Sequence, residues 1–295
     1  MTKLFETKLN DNRLRKLLHD KFAHKDQARN PKTVHVSMLT DHRATHEYCP
    51  RESALSYTHA KEGAFRWIST SERLTYDIGN YLHHQIVVKL TASAVGDWEC
   101  RECQNITRGK YMDCPKCGGH PRYQEMFFRS PVNGVIGSLD LVVDLDLPKN
   151  VIIEIKSVEK DKFKEMALPQ AEHRQRVLGY LELLRHVAPT DAWVEENICL
   201  DYGFVLYISK GYGHYFKKKG MGGINERYSP FQEFVVRPEG GAQDHVEDTF
   251  KRAGMYWAWK NADQPEQLPP RITACNHLKC KRATKCIVAK ECWNG

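Results

Sequence analysis

The feature that most constrains this chain is the stretch from Gly137 to Lys156, GSLDLVVDLDLPKNVIIEIK. It reads as two β-strands joined by a turn at Leu147-Pro148-Lys149-Asn150. In the first strand Leu139, Leu141, Val143 and Leu145 alternate with Asp140, Val142 and Asp144. In the second, Ile153 and Ile155 take one face and Glu154 and Lys156 the other, because strand side chains alternate with period two. An Asp on one strand and a Glu and a Lys two residues apart on the next can therefore converge. Two carboxylates suit a hard cation such as Mg²⁺ or Mn²⁺. Such an ion activates a water and stabilises charge on a phosphate. Alone the pattern is short and permissive, and a ribbon with a solvated charged edge fits it equally well.

The chain has 295 residues, enough to bury a full core, and a net charge of +7, compatible with a polyanionic partner. No run of about 18 apolar residues exists, so no transmembrane helix is expected. The N-terminus lacks the apolar segment of a secretory signal, which gives a cytoplasmic expectation. Without export, ten Cys argue for metal ligation rather than disulfides. Nine of them fall in three places, and Cys199 stands apart.

Residues 1–32 read as a basic amphipathic helix ending at Asn30-Pro31. Val34–Leu39 is strand-like and leads to Cys49-Pro50-Arg51 and a helix from Glu52 to about Lys61. Residues 71–92 form a helix with Leu74, Ile78, Leu82 and Ile86 on one stripe and His83 and His84 beside it. Cys100-x2-Cys103 and Cys114-x2-Cys117 then give a zinc-ribbon pattern within residues 96–122, four thiolates matching tetrahedral Zn²⁺. With no open ligand position this Zn²⁺ is structural, holding together an otherwise coreless insert. Arg101, Arg108, Lys110 and Lys116 would permit the ribbon to touch DNA. Tyr123–Arg129 reads as a returning strand, on which Glu125 is either a surface residue or a supporting carboxylate.

Beyond the central ribbon a helix from Glu172 to Leu184 buries Val177, Leu178, Leu181 and Leu184. Asp201–Lys210 is a core strand and Phe231–Val236 its partner. Between them lies GYGHYFKKK, whose aromatics and lysines suit a single-strand grip or a solvated hairpin tip. Gly241–Lys260 is a last helix, followed by a proline-marked linker. The tail holds Cys275, Cys280, Cys286 and Cys292, soft ligands for Zn²⁺ or an iron–sulfur cluster.

Asp140 with Glu154-Ile155-Lys156 resembles the PD-(D/E)xK nuclease signature, and the surroundings resemble its RecB-type, Cas4-like iron–sulfur branch. Cys49-Pro50-Arg51 is similar to that branch's N-terminal cluster ligand, and Gly79-x3-His83 to its Gly-x-x-x-His element. The resemblance covers about residues 34–292, apart from the ribbon. It implies one α/β domain over 1–295, a restriction-endonuclease-like core with a mixed central sheet flanked by helices. A zinc-ribbon insert interrupts this core at 96–122. An iron–sulfur cluster would join the 271–295 segment to the 45–60 region. It implies Mg²⁺ or Mn²⁺ held by His83, Asp140, Glu154 and the Ile155 carbonyl, with Lys156 positioning or activating the water. It implies a [4Fe–4S] cluster on four of Cys49, Cys275, Cys280, Cys286 and Cys292. The family prefers one N-terminal and three C-terminal Cys, although all four tail Cys would also serve. Family members carry a Gln and a Tyr four apart on the helix near the bound strand. Here Tyr180 fits, but Arg176 lies four before it and Gln175 five before, about 140° round the helix. Either the helix is irregular, or Arg176 takes the phosphate, or Gln175 lies outside the site. The implied activity is hydrolysis of single-stranded DNA or DNA ends, in recombination, repair, or phage or CRISPR DNA processing. The alternatives are a non-catalytic DNA-binding protein on the same scaffold and a redox-responsive regulator.

Overall fold

The computed structural model describes residues 24–27, 33–40, 47–58, 65–210, 229–262 and 267–294. The centre is a mixed sheet, formed because four segments rich in β-branched residues pair side by side. Strand β9 (Val151–Val158) lies between β8 (Leu141–Val143), antiparallel, and β10 (Gly203–Ser209), parallel. Strand β11 (Phe231–Val236) closes one edge against β10, and β3 (Ala94–Cys100) flanks β8 on the other side. Strands β4 (Ile106–Lys110) and β5 (Pro121–Gln124) both pair with β3. Two further ribbons stand apart: β1 (His24–Gln27) with β2 (Phe65–Ile68), and β6 (Met126–Arg129) with β7 (Ile136–Leu139).

Helices cover both faces of the sheet. On one, Ile152, Val158, Val205 and Tyr207 pack with Val177, Leu178, Leu181 and Leu184 of helix α5 (Ala171–Val187). Phe250, Ala253 and Tyr256 of α7 (Gly240–Asn261) join the same core. On the other face, Val151, Ile155 and Ile208 pack with Leu82, Ile86 and Val87 of α3 (Thr70–Lys89). Helix α3 begins where it does because Ser69 and Glu72 make a reciprocal capping box. Helix α5 has Glu172 in its first turn and Arg185 and His186 in its last, both favourable to the helix dipole. Short helices α1 (Val36–Leu39), α2 (Pro50–Thr58), α4 (Lys160–Glu165), α6 (Ala192–Asn197) and α8 (Ala289–Asn294) fill the periphery. No helix among the described residues is long and apolar enough to cross a membrane.

The C-terminal segment folds back onto α2. Cys49 packs with Ile272, Cys275 and Ala283, while Leu55 packs with Val288 and Cys292. Buried Arg282 fastens the two parts: its Nε donates to the Glu47 carbonyl at 3.1 Å and its Nη2 pairs with the Glu52 carboxylate.

Several expectations need correction. Val36–Leu39 is a helical turn, with only a single bridge from His35 to Ile136 preserving extended character. His24–Gln27, within the expected basic helix, is a strand because it finds a partner in Phe65–Ile68; the rest of that helix lies outside the described residues. So does the basic aromatic loop after Lys210. On α3 the apolar stripe is packed only in its second half, Leu74 and Ile78 being 42% and 49% exposed. The expected strand from Leu139 to Leu145 is broken at Asp140, β7 pairing with β6 and β8 with β9. The cysteine ribbon is not coreless: β3 runs from the central sheet into it, carrying Trp98 at 2% exposure into the α3-side core.

Gly134 and Gly179 are among the glycines required by close approach. Gly134 has φ +65°, and a Cβ there would fall 2.2 Å from the Trp257 ring. At Gly179 on α5 a Cβ would sit 2.8 Å from side-chain atoms of Val36 and Thr40. Gly179→Leu should therefore destabilise the fold by about 1–3 kcal/mol or more through overpacking. Gly241→Ala, with nothing within 4 Å, should leave it unchanged or slightly more stable. Thermal melts of the two variants check this; equal melting temperatures would contradict the packing described.

Candidate metal-binding site

Period-two alternation on β9 puts Glu154 and Lys156 on the face covered by α5. The Lys156 ammonium lies 2.5 Å from Glu154 Oε1 and 3.9 Å from Asp140 Oδ2. Asp140 occupies the break where the chain leaves the β6–β7 ribbon for the central sheet. There its Oδ2 accepts the Ile155 backbone N–H at 2.8 Å. One hydrogen bond thus joins the strand break to the strand that carries Glu154 and Lys156.

Two more groups arrive from other elements. His83 comes from α3, and Glu125 from the residue between β5 and β6. Ligand atoms of His83, Glu125 and Asp140 lie within 4.8 Å of one another, spacing that suits a single cation. His83 Nε2 and Glu154 Oε2 are buried without a hydrogen-bond partner among the described residues. Orphaned buried polar atoms are costly in a static fold and natural in a site built for a ligand. The donor set, carboxylate oxygens with one imidazole, matches a hard divalent ion.

The electrostatics agree. Burial, then the Asp140 charge, raises the Glu154 carboxyl to about 7. Burial also raises Asp140 and Glu125, and lowers His83, keeping it neutral and able to bind a metal. The cations facing this acidic group are Lys156 and Arg176, the latter 4.0 Å from Glu154 and 3.3 Å from Glu172.

Of the residues singled out in the sequence, His83, Asp140, Glu154 and Lys156 converge. The Ile155 carbonyl adjoins them, accepting from Lys156 Nζ at 3.2 Å. Tyr180 is buried, its phenol pushed well above its usual value by burial and the nearby Glu154 and Asp140. Arg176 lies 4.0 Å from Glu154, and Gln175 is buried with its Oε1 unpartnered; α5 is regular here. Glu125 is an exposed residue whose carboxylate nonetheless lies in the cluster with His83 and Asp140. Its place between two strands of different sheets leaves no local sequence signal.

A further pair was invisible in the sequence. The Tyr207 hydroxyl accepts the Gln170 backbone N–H at 2.9 Å and lies 2.8 Å from His173 Nδ1. Burial and the charges of Lys156 and Arg176 lower His173 to about 3, so the imidazole is neutral. Parallel pairing sets Tyr207 opposite Lys156.

The ribbon cysteines Cys100, Cys103, Cys114 and Cys117 gather their sulfurs within 4.8 Å, a group able to bind a metal. Backbone N–H groups of Cys103 and Glu102 hold Cys100 below its ordinary range, favouring the thiolate ligand form. In the tail, Cys275 lies beside Cys280, Cys49 and Cys292, and Arg271 Nε donates to Cys292 Sγ at 3.2 Å. Cys286 is hydrogen-bonded instead to Glu52, beside Leu55, Val288 and Cys292.

No family model and no curated protein matches this chain. Among solved structures it is similar to SSO0001, over 84% of this chain and 87% of that chain, with 16% identity and a TM-score of 0.35.

The raised Glu154 value has a thermodynamic consequence. The folded protein holds that proton more tightly than the unfolded chain, whose carboxyl takes the ordinary value of 4.5. Stability of protein dialysed free of Mg²⁺ and Mn²⁺ should therefore fall as pH rises from about 4.5 to about 7. Glu154→Gln removes that penalty. It should be more stable than the parent at pH 8 by on the order of 2–3 kcal/mol, the gain vanishing near pH 4. Chemical denaturation at the two pH values reads this out; a variant less stable than the parent at pH 8 would contradict it.

Proposed function

We propose that this protein is a metal-dependent deoxyribonuclease with a PD-(D/E)xK core of the RecB-type, Cas4-like kind. The observation that carries the reading is the convergence of His83, Asp140, Glu154 and Lys156 from α3, the strand break and β9. That order of groups is the one the sequence resemblance implies, and the separation of their elements makes a chance meeting improbable. His83, Asp140 and Glu154, with Glu125 added and the Ile155 carbonyl adjacent, would hold Mg²⁺ or Mn²⁺. When bound, the ion supplies water activation and charge stabilisation on the scissile phosphate.

The chain's own residues then have separate tasks. Lys156 holds and orients the attacking water, its ammonium kept in place by Glu154. Arg176 contacts the phosphate from α5, in place of the family's Gln. Tyr180 and the Tyr207–His173 pair fix the wall behind these groups. Ribbon cysteines hold Zn²⁺. Four of Cys49, Cys275, Cys280, Cys286 and Cys292 hold a [4Fe–4S] cluster, whose thiolates stand further apart than those round one zinc.

With Mn²⁺ the purified protein should degrade labelled single-stranded DNA from its ends. Lys156→Ala should lower the rate about 100-fold or more without unfolding the protein. Undiminished activity in that variant would remove Lys156 from the mechanism. No activity in the parent, with DNA binding intact, would favour a non-catalytic DNA-binding scaffold. Protein purified without oxygen should be brown, with iron and zinc both present on elemental analysis. A colourless preparation containing only zinc would rule out the iron–sulfur assignment.

A further inference from the structure

The His83–Asp140 site opens into a cleft of about 1040 Å³ whose far wall is the four-cysteine ribbon. Arg101, Tyr111 and Tyr123 line it from the ribbon side, Asn80, His84 and Val88 from α3. Tyr111 and Tyr123 pack edge-on against buried Trp98, with ring centroids 5.1 Å and 5.4 Å away. The ribbon wall is thus rigid and aromatic, anchored through β3 to the central sheet.

Its cations sort into two groups. Arg108 is committed to Asp97 at 2.7 Å and Asp191 at 3.4 Å, and lies over the Phe128 and Trp193 rings. Lys110 pairs with Asp144, and Arg122 with Glu99 at 2.7 Å. These three tie the ribbon to itself and to the body. Arg101 is exposed, lines the cleft and has no carboxylate partner among the described residues. Lys116 is also exposed but is not part of the cleft lining.

Resting on the nuclease reading above, we infer that the cysteine ribbon is the substrate-binding wall of the site and that its ligand is a single DNA strand. Arg101 takes a phosphate, and Tyr111 stacks on a base as that strand passes between ribbon and α3 to reach Asp140. A free guanidinium beside a braced aromatic is the usual pairing for single-strand binding. The cleft is at the upper end of the small-ligand range of roughly 300–1,000 Å³. It has room for a few nucleotides of one strand.

The test is binding without cleavage, in Asp140→Asn protein whose zinc content is checked. A fluorescein-labelled oligo-dT strand is titrated by anisotropy at several salt concentrations. Adding Arg101→Ala should weaken binding about fivefold or more and reduce the slope of log affinity against log salt by about 0.7. Tyr111→Ala should weaken it similarly with the slope unchanged. Lys116→Ala should stay within about twofold of the parent. Equal effects of Arg101→Ala and Lys116→Ala, tighter binding of duplex than of single strand, or no binding at all would overturn the inference. A binding pattern that follows Arg101 and Tyr111, in a protein whose parent shows no Mn²⁺-dependent cleavage, would support this wall and reject the nuclease reading alone.

Discussion

The hydrogen bond from the Ile155 amide to the Asp140 carboxylate is the constraint on which the site depends. It satisfies one carboxylate oxygen at the point where the strand order breaks, and so fixes the register between that break and β9. Every other group in the site is placed relative to this pair. Glu154 and Lys156 follow from strand alternation, Tyr207 from the parallel register of β10, and Glu125 from the return of the chain towards β6.

The arrangement has a cost. Three carboxyls and a histidine share a partly dry volume, and Lys156 and Arg176 neutralise only part of that acidity. Charge buried in this way destabilises the protein unless a cation enters. The surrounding fold tolerates it because the sheet is packed on both faces. Fully buried Leu178, Leu181 and Leu184 lie on one side, and Val87 and Ile155 on the other. That frame, packed on both faces, holds the partly unsatisfied groups of the cluster together.

Much of this was legible locally. The glutamate–lysine pair on β9 needed only period two, the start of α3 only the Ser69–Glu72 signature, and the ribbon sulfurs only two CxxC turns. What escaped was non-local. The break at Asp140 arises because β6 and β9 pair with neighbouring stretches of one segment, β7 and β8, which no window of sequence displays. Glu125 belongs to the cluster through the meeting of two sheets. Tyr207 and His173 are 34 residues apart and meet where α5 packs on β10. The spacing on α5 did exclude Gln175 and Tyr180 from sharing a face, but the contact of Arg176 with Glu154 waited for the fold. The tail cysteines were countable, while the proximity of Cys286 to Glu52 was not.

The central claim is that these side chains enclose a divalent cation. Anomalous diffraction from a crystal soaked in Mn²⁺ tests it most directly. The account requires a peak at coordinating distance from Asp140, with His83 and at least one of Glu125 and Glu154 around it. A crystal showing no Mn²⁺ there, with Lys156 still seated between Asp140 and Glu154, would contradict it.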